Sequence, residues 1–192
     1  VSRVLKTLDV DSTALGFSGG FPGDFIAQTL EDSNIQSDFV QVDEDTRINV
    51  KLKSGQETEI NAPGPKVTHA QFEQLLSQIR RTTNDDIVIV AGSVPNSIPS
   101  DAYAQIAQIT EKTGAQLVVD AEKDLVETVL PYRPLFIKPN KDELEVMFNT
   151  TVKSDEDVIK YGKEILKKGA QSVIISLGGD GAIYVDQHQS IK

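Results

Sequence analysis

QLVVDAEKDLVETVLPYRPLFIKPNKDEL, residues 116–144, is the stretch on which the fold turns. It opens on the short apolar run Leu117-Val118-Val119-Asp120, read as a strand, and continues through a helix carrying Leu125 and Leu130. A second strand follows at Leu135-Phe136-Ile137, and Asn140 then opens a helix through Leu144 and Met147. Upstream, Thr68 and Gln71 form a capping pair ahead of Phe72, Leu75, Leu76 and Ile79 at helical spacing. Ile87-Val88-Ile89-Val90 reads as a strand buried on both faces, and Ser100 and Gly114 bracket another helix. Downstream, Ser154 and Asp157 start a helix through Val158 and Ile165 that closes at Gly169. Ser172–Leu177 is the next strand, and Ala182-Ile183-Tyr184-Val185 pairs beside it. Repeated strand-then-helix order predicts an α/β fold: a mostly parallel sheet with helices on both faces. Ligands then sit outside the carboxyl ends of the strands.

Before Val67 the pattern changes. Phe39-Val40-Gln41-Val42, Arg47–Leu52 and Glu57-Thr58-Glu59-Ile60 read as short antiparallel strands, the last two joined by a turn around Ser54-Gly55. Arg47, Asn49 and Lys51 share one face of the middle strand, opposite Ile48, Val50 and Leu52. That polar face suits either a flap over a polar ligand or an edge sheet facing water. Asn61-Ala62-Pro63-Gly64-Pro65 is the natural joint. The expected division is an α/β core over residues 1–37 and 62–192, with lid strands over 38–61.

The chain has 192 residues, 39% hydrophobic and 25% charged, the balance of a globular domain. With 19 Lys+Arg against 29 Asp+Glu it carries a net charge of −10, which argues against nucleic acid or an anionic membrane as partner. Cysteine is absent, so disulfides, thiolate zinc sites and thiol nucleophiles are excluded. There is no membrane-length apolar run and no signal-peptide pattern, so the cytoplasm is the expected compartment and Asn149-Thr150-Thr151 a chance sequon. Val1, Val4, Leu5 and Leu8 already lie on one helical face, and the chain stops at Ile191-Lys192 just after a strand-like stretch; a fragment is the expectation. His69 and His188 have no companion ligands and read as surface residues.

Chemistry-bearing positions cluster just after the strands. Gly92-Ser93-Val94-Pro95 admits either a turn or an oxyanion contact from the Ser93 hydroxyl. In Lys138-Pro139-Asn140-Lys141-Asp142-Glu143, the pair Asn140 and Glu143 matches a helix cap. The same corner suits phosphate and Mg²⁺, because a helix N-terminus favours anions and Glu143 can order water around a hard cation. Gly178-Gly179-Asp180-Gly181 is either a hairpin turn or a backbone platform for a nucleotide, and it is neither a Walker A loop nor a dinucleotide fingerprint. Asp120, ending its strand, is a further candidate for metal-phosphate.

The ordered series Thr46–Leu52, Gly92-Ser93-Val94-Pro95, Lys138–Leu144 and Ser176–Ala182 resembles the PfkB carbohydrate kinase family along essentially the whole chain. Thr46–Leu52 followed by Glu57–Asn61 resembles its bacterial 1-phosphofructokinase branch, with tagatose-6-phosphate kinase a near relative. The resemblance implies a ribokinase-like fold with a small β-sheet lid, and ATP with Mg²⁺. By the same resemblance, Arg47, Asn49 and Ser93 bind the sugar phosphate. Lys138 and the loop of Ser176, Leu177, Gly178, Gly179, Asp180 and Gly181 bind ATP. Asn140 and Glu143 organise Mg²⁺ through water, with Asp120 beside them. Two family motifs are not found in the 192 residues: the Gly-Gly sugar site and the G-x-G-D segment whose aspartate is the catalytic base. Asp24 in Gly23-Asp24-Phe25 lacks that context, so no catalytic residue is assigned and the chain by itself is expected to be inactive. The expected reaction of the parent protein is phosphorylation of fructose 1-phosphate to the 1,6-bisphosphate. A non-catalytic binder of sugar phosphate or nucleotide is the rival reading, and an exposed lid sheet would suit a homodimer.

Overall fold

A computed structural model describes residues 1–54, 56–92 and 94–192; the side chains of Lys53, Ser54, Gln56, Glu57 and Glu59 are also outside the description. The chain divides into two compact units, Val1–Ser77 with Val94–Pro99, and Gln78–Ser93 with Ser100–Lys192. The expected turn at Ser54-Gly55 and the Ser93 position fall on residues outside the description.

The first unit begins with α1 (Ser2–Thr7), which buries none of its residues; Val1, Val4 and Leu8 are all more than 60% exposed. β1 (Thr13–Ser18), α2 (Gly20–Asp32) and β2 (Gln36–Gln41) form a β-α-β unit, and β2 pairs with β1 in parallel. This corrects the reading of Phe39–Val42 as an antiparallel lid strand. The crossover helix returns the chain in the same direction, and a parallel pair needs such a connection. β1 itself, TALGFS, alternates too weakly to have been expected as a strand. β3 (Val50–Ser54) and β4 (Gln56–Ile60) make an antiparallel hairpin in which Val50 faces Ile60 and Leu52 faces Thr58. The strand expected from Arg47 therefore starts three residues later, and 46–49 are irregular. α3 (His69–Ile79) follows the Thr68–Gln71 pair as expected: the Gln71 side chain accepts from the Thr68 amide at 2.8 Å, and Phe72, Leu76 and Ile79 are buried.

The second unit is a six-stranded sheet in the order β10-β9-β8-β7-β6-β5. β5 (Ile87–Ala91), β6 (Gln116–Asp120), β7 (Phe136–Ile137) and β8 (Ser172–Ser176) are parallel, while β9 (Ala182–Val185) and β10 (Ser190–Ile191) turn antiparallel. Val119, Ile137, Val173, Ile175 and Val185 are fully buried and form the centre of the core. β5 corrects another expectation. Ile87 is 56% and Ile89 39% exposed, so the strand is not buried on both faces, and among the described residues only β6 pairs with it.

α4 (Ala102–Thr113) packs on β6 and ends at Gly114, whose φ of 82° only glycine adopts freely. Its N-cap is Asp101 without a side-chain cap, not Ser100. α5 (Lys123–Val129) tightens into a 3-10 turn at Leu130–Tyr132, where Pro131 has no amide to continue the helix. α6 (Lys141–Phe148) and α7 (Asp155–Lys168) complete the unit, α7 lying against β8 and β9. Ser154 caps α7, three acids occupy its first turn and two lysines its last, all favourable to the helix dipole. Among the described residues no helix is long and apolar enough to cross a membrane.

Candidate functional site

The carboxyl ends of β6, β7 and β8 bring the second unit's candidates together. Each is placed by backbone pairing. The Lys138 amide donates to the Val119 carbonyl at 3.1 Å, the Ser176 amide to the Pro139 carbonyl at 3.0 Å, and Asn140 bridges Ser176 in parallel. Lys138 Nζ reaches Asp120 Oδ1 at 3.1 Å, so the two strand-end charges hold each other across neighbouring strands. Each side chain keeps about two-fifths of its surface exposed, so both remain accessible to a charged ligand.

α6 starts at this corner with a complete capping box. Asn140 Oδ1 accepts from the Glu143 amide at 2.8 Å, and the Asn140 amide donates to Glu143 Oε2 at 2.8 Å. The cap uses one carboxylate oxygen and leaves Oε1 outside the pair. Capping is thus compatible with a ligand-facing role. Among the described residues no group of three or more His, Cys, Asp or Glu could cage a metal. The donors present, one cap glutamate and a lysine-paired aspartate, suit instead an ion carried in on phosphate oxygens and contacted through water.

Beyond β8, Gly178–Asp180 form a 3-10 turn closed by the Leu177 amide on the Gly181 carbonyl at 2.8 Å. The loop is therefore the hairpin turn between β8 and β9, yet it is also open. A Cβ at Gly178, Gly179 or Gly181 would meet nothing within 4 Å, which leaves the backbone free for a flat ligand.

Tyr103, on α4, carries no signal in the sequence beyond that of one more apolar position. Its side chain is buried and its hydroxyl donates to the Gly92 carbonyl at 2.9 Å, tethering the loop after β5. Burial, and then the charge of Asp120, push the phenol up to about 12, so it stays a proton donor through the neutral range.

Arg47 and Asn49 lie in the first unit, exposed, on the irregular stretch before β3. His69, His188 and Asp24 are exposed.

The comparisons with known proteins agree with this architecture. The model of the pfkB family carbohydrate kinases matches residues 1–192. A 1-phosphofructokinase of Bacillus subtilis (strain 168) is 43% identical over 183 residues, covering 95% of this chain and 60% of the relative. A D-tagatose-1-phosphate kinase of Bacillus licheniformis is 37% identical, covering 100% of this chain and 64% of the relative. A Staphylococcus aureus crystal structure whose phosphofructokinase name is provisional is 78% identical, with a TM-score of 0.87 over 100% of this chain and 62% of that one. Phosphofructokinase-2 from Escherichia coli, solved with fructose-6-phosphate, is 28% identical with a TM-score of 0.91, over 100% of this chain and 65% of that one. The chain thus spans 60–65% of the length of these relatives. Sequence, sheet order and these matches coincide, and the chain belongs to the pfkB family of carbohydrate kinases.

Proposed function

We propose that the protein built on this chain transfers the γ-phosphoryl of ATP to the 6-hydroxyl of fructose 1-phosphate. The observation that carries the reading is the corner at the carboxyl ends of β6, β7 and β8, where Lys138, the capped start of α6 and the open glycine loop converge. Phosphoryl transfer depends mainly on positioning and charge stabilisation, and the Lys138 charge and the α6 N-terminus suit that work on the ATP side. In our reading Lys138 and the α6 N-terminus take the ATP phosphates, and residues 176–181 receive the nucleoside along their backbone. Glu143, with Asn140 fixing its rotamer, orders water on the Mg²⁺ that neutralises phosphate charge; Asp120 stands next to it through Lys138.

Arg47 and Asn49 are assigned to the sugar phosphate, together with Ser93. The lid role expected of residues 38–61 falls to the β3–β4 hairpin. Val50, Leu52 and Ile60 share one of its faces and are 42%, 49% and 56% exposed, and we assign that face to a second copy of the protein. Sedimentation of Leu52→Asp against the unchanged protein tests it, a shift from dimer to monomer being the expected result. A cysteine-free chain working on ATP fits the cytoplasm.

The decisive experiment is coupled ADP release from the protein at full encoded length, with a panel of fructose and tagatose phosphates. Preference for fructose 1-phosphate is expected; preference for a tagatose phosphate or fructose 6-phosphate overturns the substrate. No G-x-G-D segment occurs in the 192 residues, so this stretch alone is expected to give no turnover. ADP release above background from it would place the base elsewhere.

A further inference from the structure

We propose that Thr46 is a positioning residue that sets where the Arg47 guanidinium meets the sugar phosphate. The inference rests on the assignment of Arg47 above and adds the element that holds it. Past the end of β2 the chain stays attached to the start of α2 by further rungs. The Val42 amide donates to the Ser18 carbonyl at 2.9 Å, and the Thr46 amide to the Gly19 carbonyl at 2.8 Å. The Gly19 amide returns a bond to Thr46 Oγ1 at 3.0 Å. Thr46 is thus clamped in both directions. It is half-buried, whereas Asp43, Glu44 and Asp45 before it and residues 47–50 after it are exposed. The return limb is tied beside it, the Lys66 amide donating to Glu44 Oε2 at 2.7 Å.

The fit is close because glycines stand opposite. A Cβ at Gly19 would run into the Glu44 and Val42 carbonyls, and one at Gly20 into the Asp45 carboxylate. At Gly23 a Cβ would meet the Ser18 hydroxyl, with Thr46 Oγ1 at 3.1 Å. Residues 44–46 can lie on this turn only while positions 19 and 20 carry no side chains. Arg47 follows at once. It enters no ion pair or hydrogen bond among the described residues, and 47–49 have no regular structure to orient it. The last fixed point before its side chain is Thr46. Without the hydroxyl, the buried Gly19 amide also loses its acceptor, so the clamp has a reason to open.

The test uses the protein at full encoded length, with fructose 1-phosphate and ATP as probes. Thr46→Val keeps the β-branched shape and removes the acceptor; Thr46→Ser keeps the acceptor. Thr46→Val is expected to raise KM for the sugar phosphate about tenfold, with KM for ATP changed less than about twofold. Thr46→Ser is expected to stay within about threefold of the unchanged protein. Adding Arg47→Ala to Thr46→Val should give no more than Arg47→Ala alone, because the threonine acts through the arginine. An unchanged sugar-phosphate KM in Thr46→Val, or both KM values rising together, overturns the proposal. Arg47→Ala by itself separates the two failures: if it leaves the sugar-phosphate KM unchanged, the assignment of Arg47 falls instead. Should Thr46→Val not fold, Thr46→Cys, whose sulfur is a weak acceptor, takes its place under the same criteria.

Discussion

The Asn140 corner and the Thr46 corner do similar jobs by different means. At Asn140 a polar side chain closes a helix end with a partner three residues away, and the bond pattern is complete within one turn. At Thr46 the partner is Gly19, 27 residues away, and the bond exists only because β1, α2 and β2 have already assembled. A local clamp survives modest rearrangement around it. A long-range one depends on every close approach along the way, which is why glycines surround Thr46 and the Asn140 box needs none.

The largest effect should come from breaking the long-range clamp. Gly20 has a φ of 59°, and a side chain there would collide with Asp45, so Gly20→Val should cost about 3 kcal/mol in denaturant unfolding. A loss near zero would mean the turn is not held as described. Asn140→Ala and Ser154→Ala remove two helix caps of the same kind, and each should cost about 1 kcal/mol. Only Asn140→Ala should also abolish turnover in the full-length protein; equal activity in both would reduce the corner to a cap.

Tyr103→Phe is comparable in stability, about 1 kcal/mol, through the lost bond to Gly92. It carries a pH signature as well. The folded phenol titrates near 12 rather than 10.0, so its contribution is complete below pH 10 and is lost as pH rises from 10 toward 12. Melts of Tyr103→Phe should lack that alkaline loss. Smallest of all, Asp120→Asn should change stability by at most about 0.5 kcal/mol, because the pair with Lys138 is substantially open to solvent.

Legibility in the sequence followed the same local and long-range divide. The helices of α3, α6 and α7 were visible because a cap and its partner lie within one turn, and apolar residues recur at helical spacing behind them. β6, β7 and β8 were visible as short apolar runs between those helices. β1 was not, since Ala, Gly and Ser dilute its pattern, and so β2 could not be assigned its parallel neighbour. The exposure of Ile87 and Ile89 was equally hidden, because an apolar run does not say what packs over each face of its strand. The sequence placed Lys138, Asn140, Glu143 and the glycine loop after their strands, but had no means of finding the Tyr103–Gly92 tether or the Thr46–Gly19 clamp.

By itself, then, the sequence determined the alternation of elements, the caps and the motif order that marks the family, because those rest on contacts within a few residues. Only the tertiary structure decided that β2 runs parallel to β1, that among the described residues β5 pairs with β6 alone, and that Arg47 springs from a clamped threonine. Each of these depends on which distant backbone arrives alongside, and a hydrogen bond between residues far apart in the chain leaves no periodic trace in it.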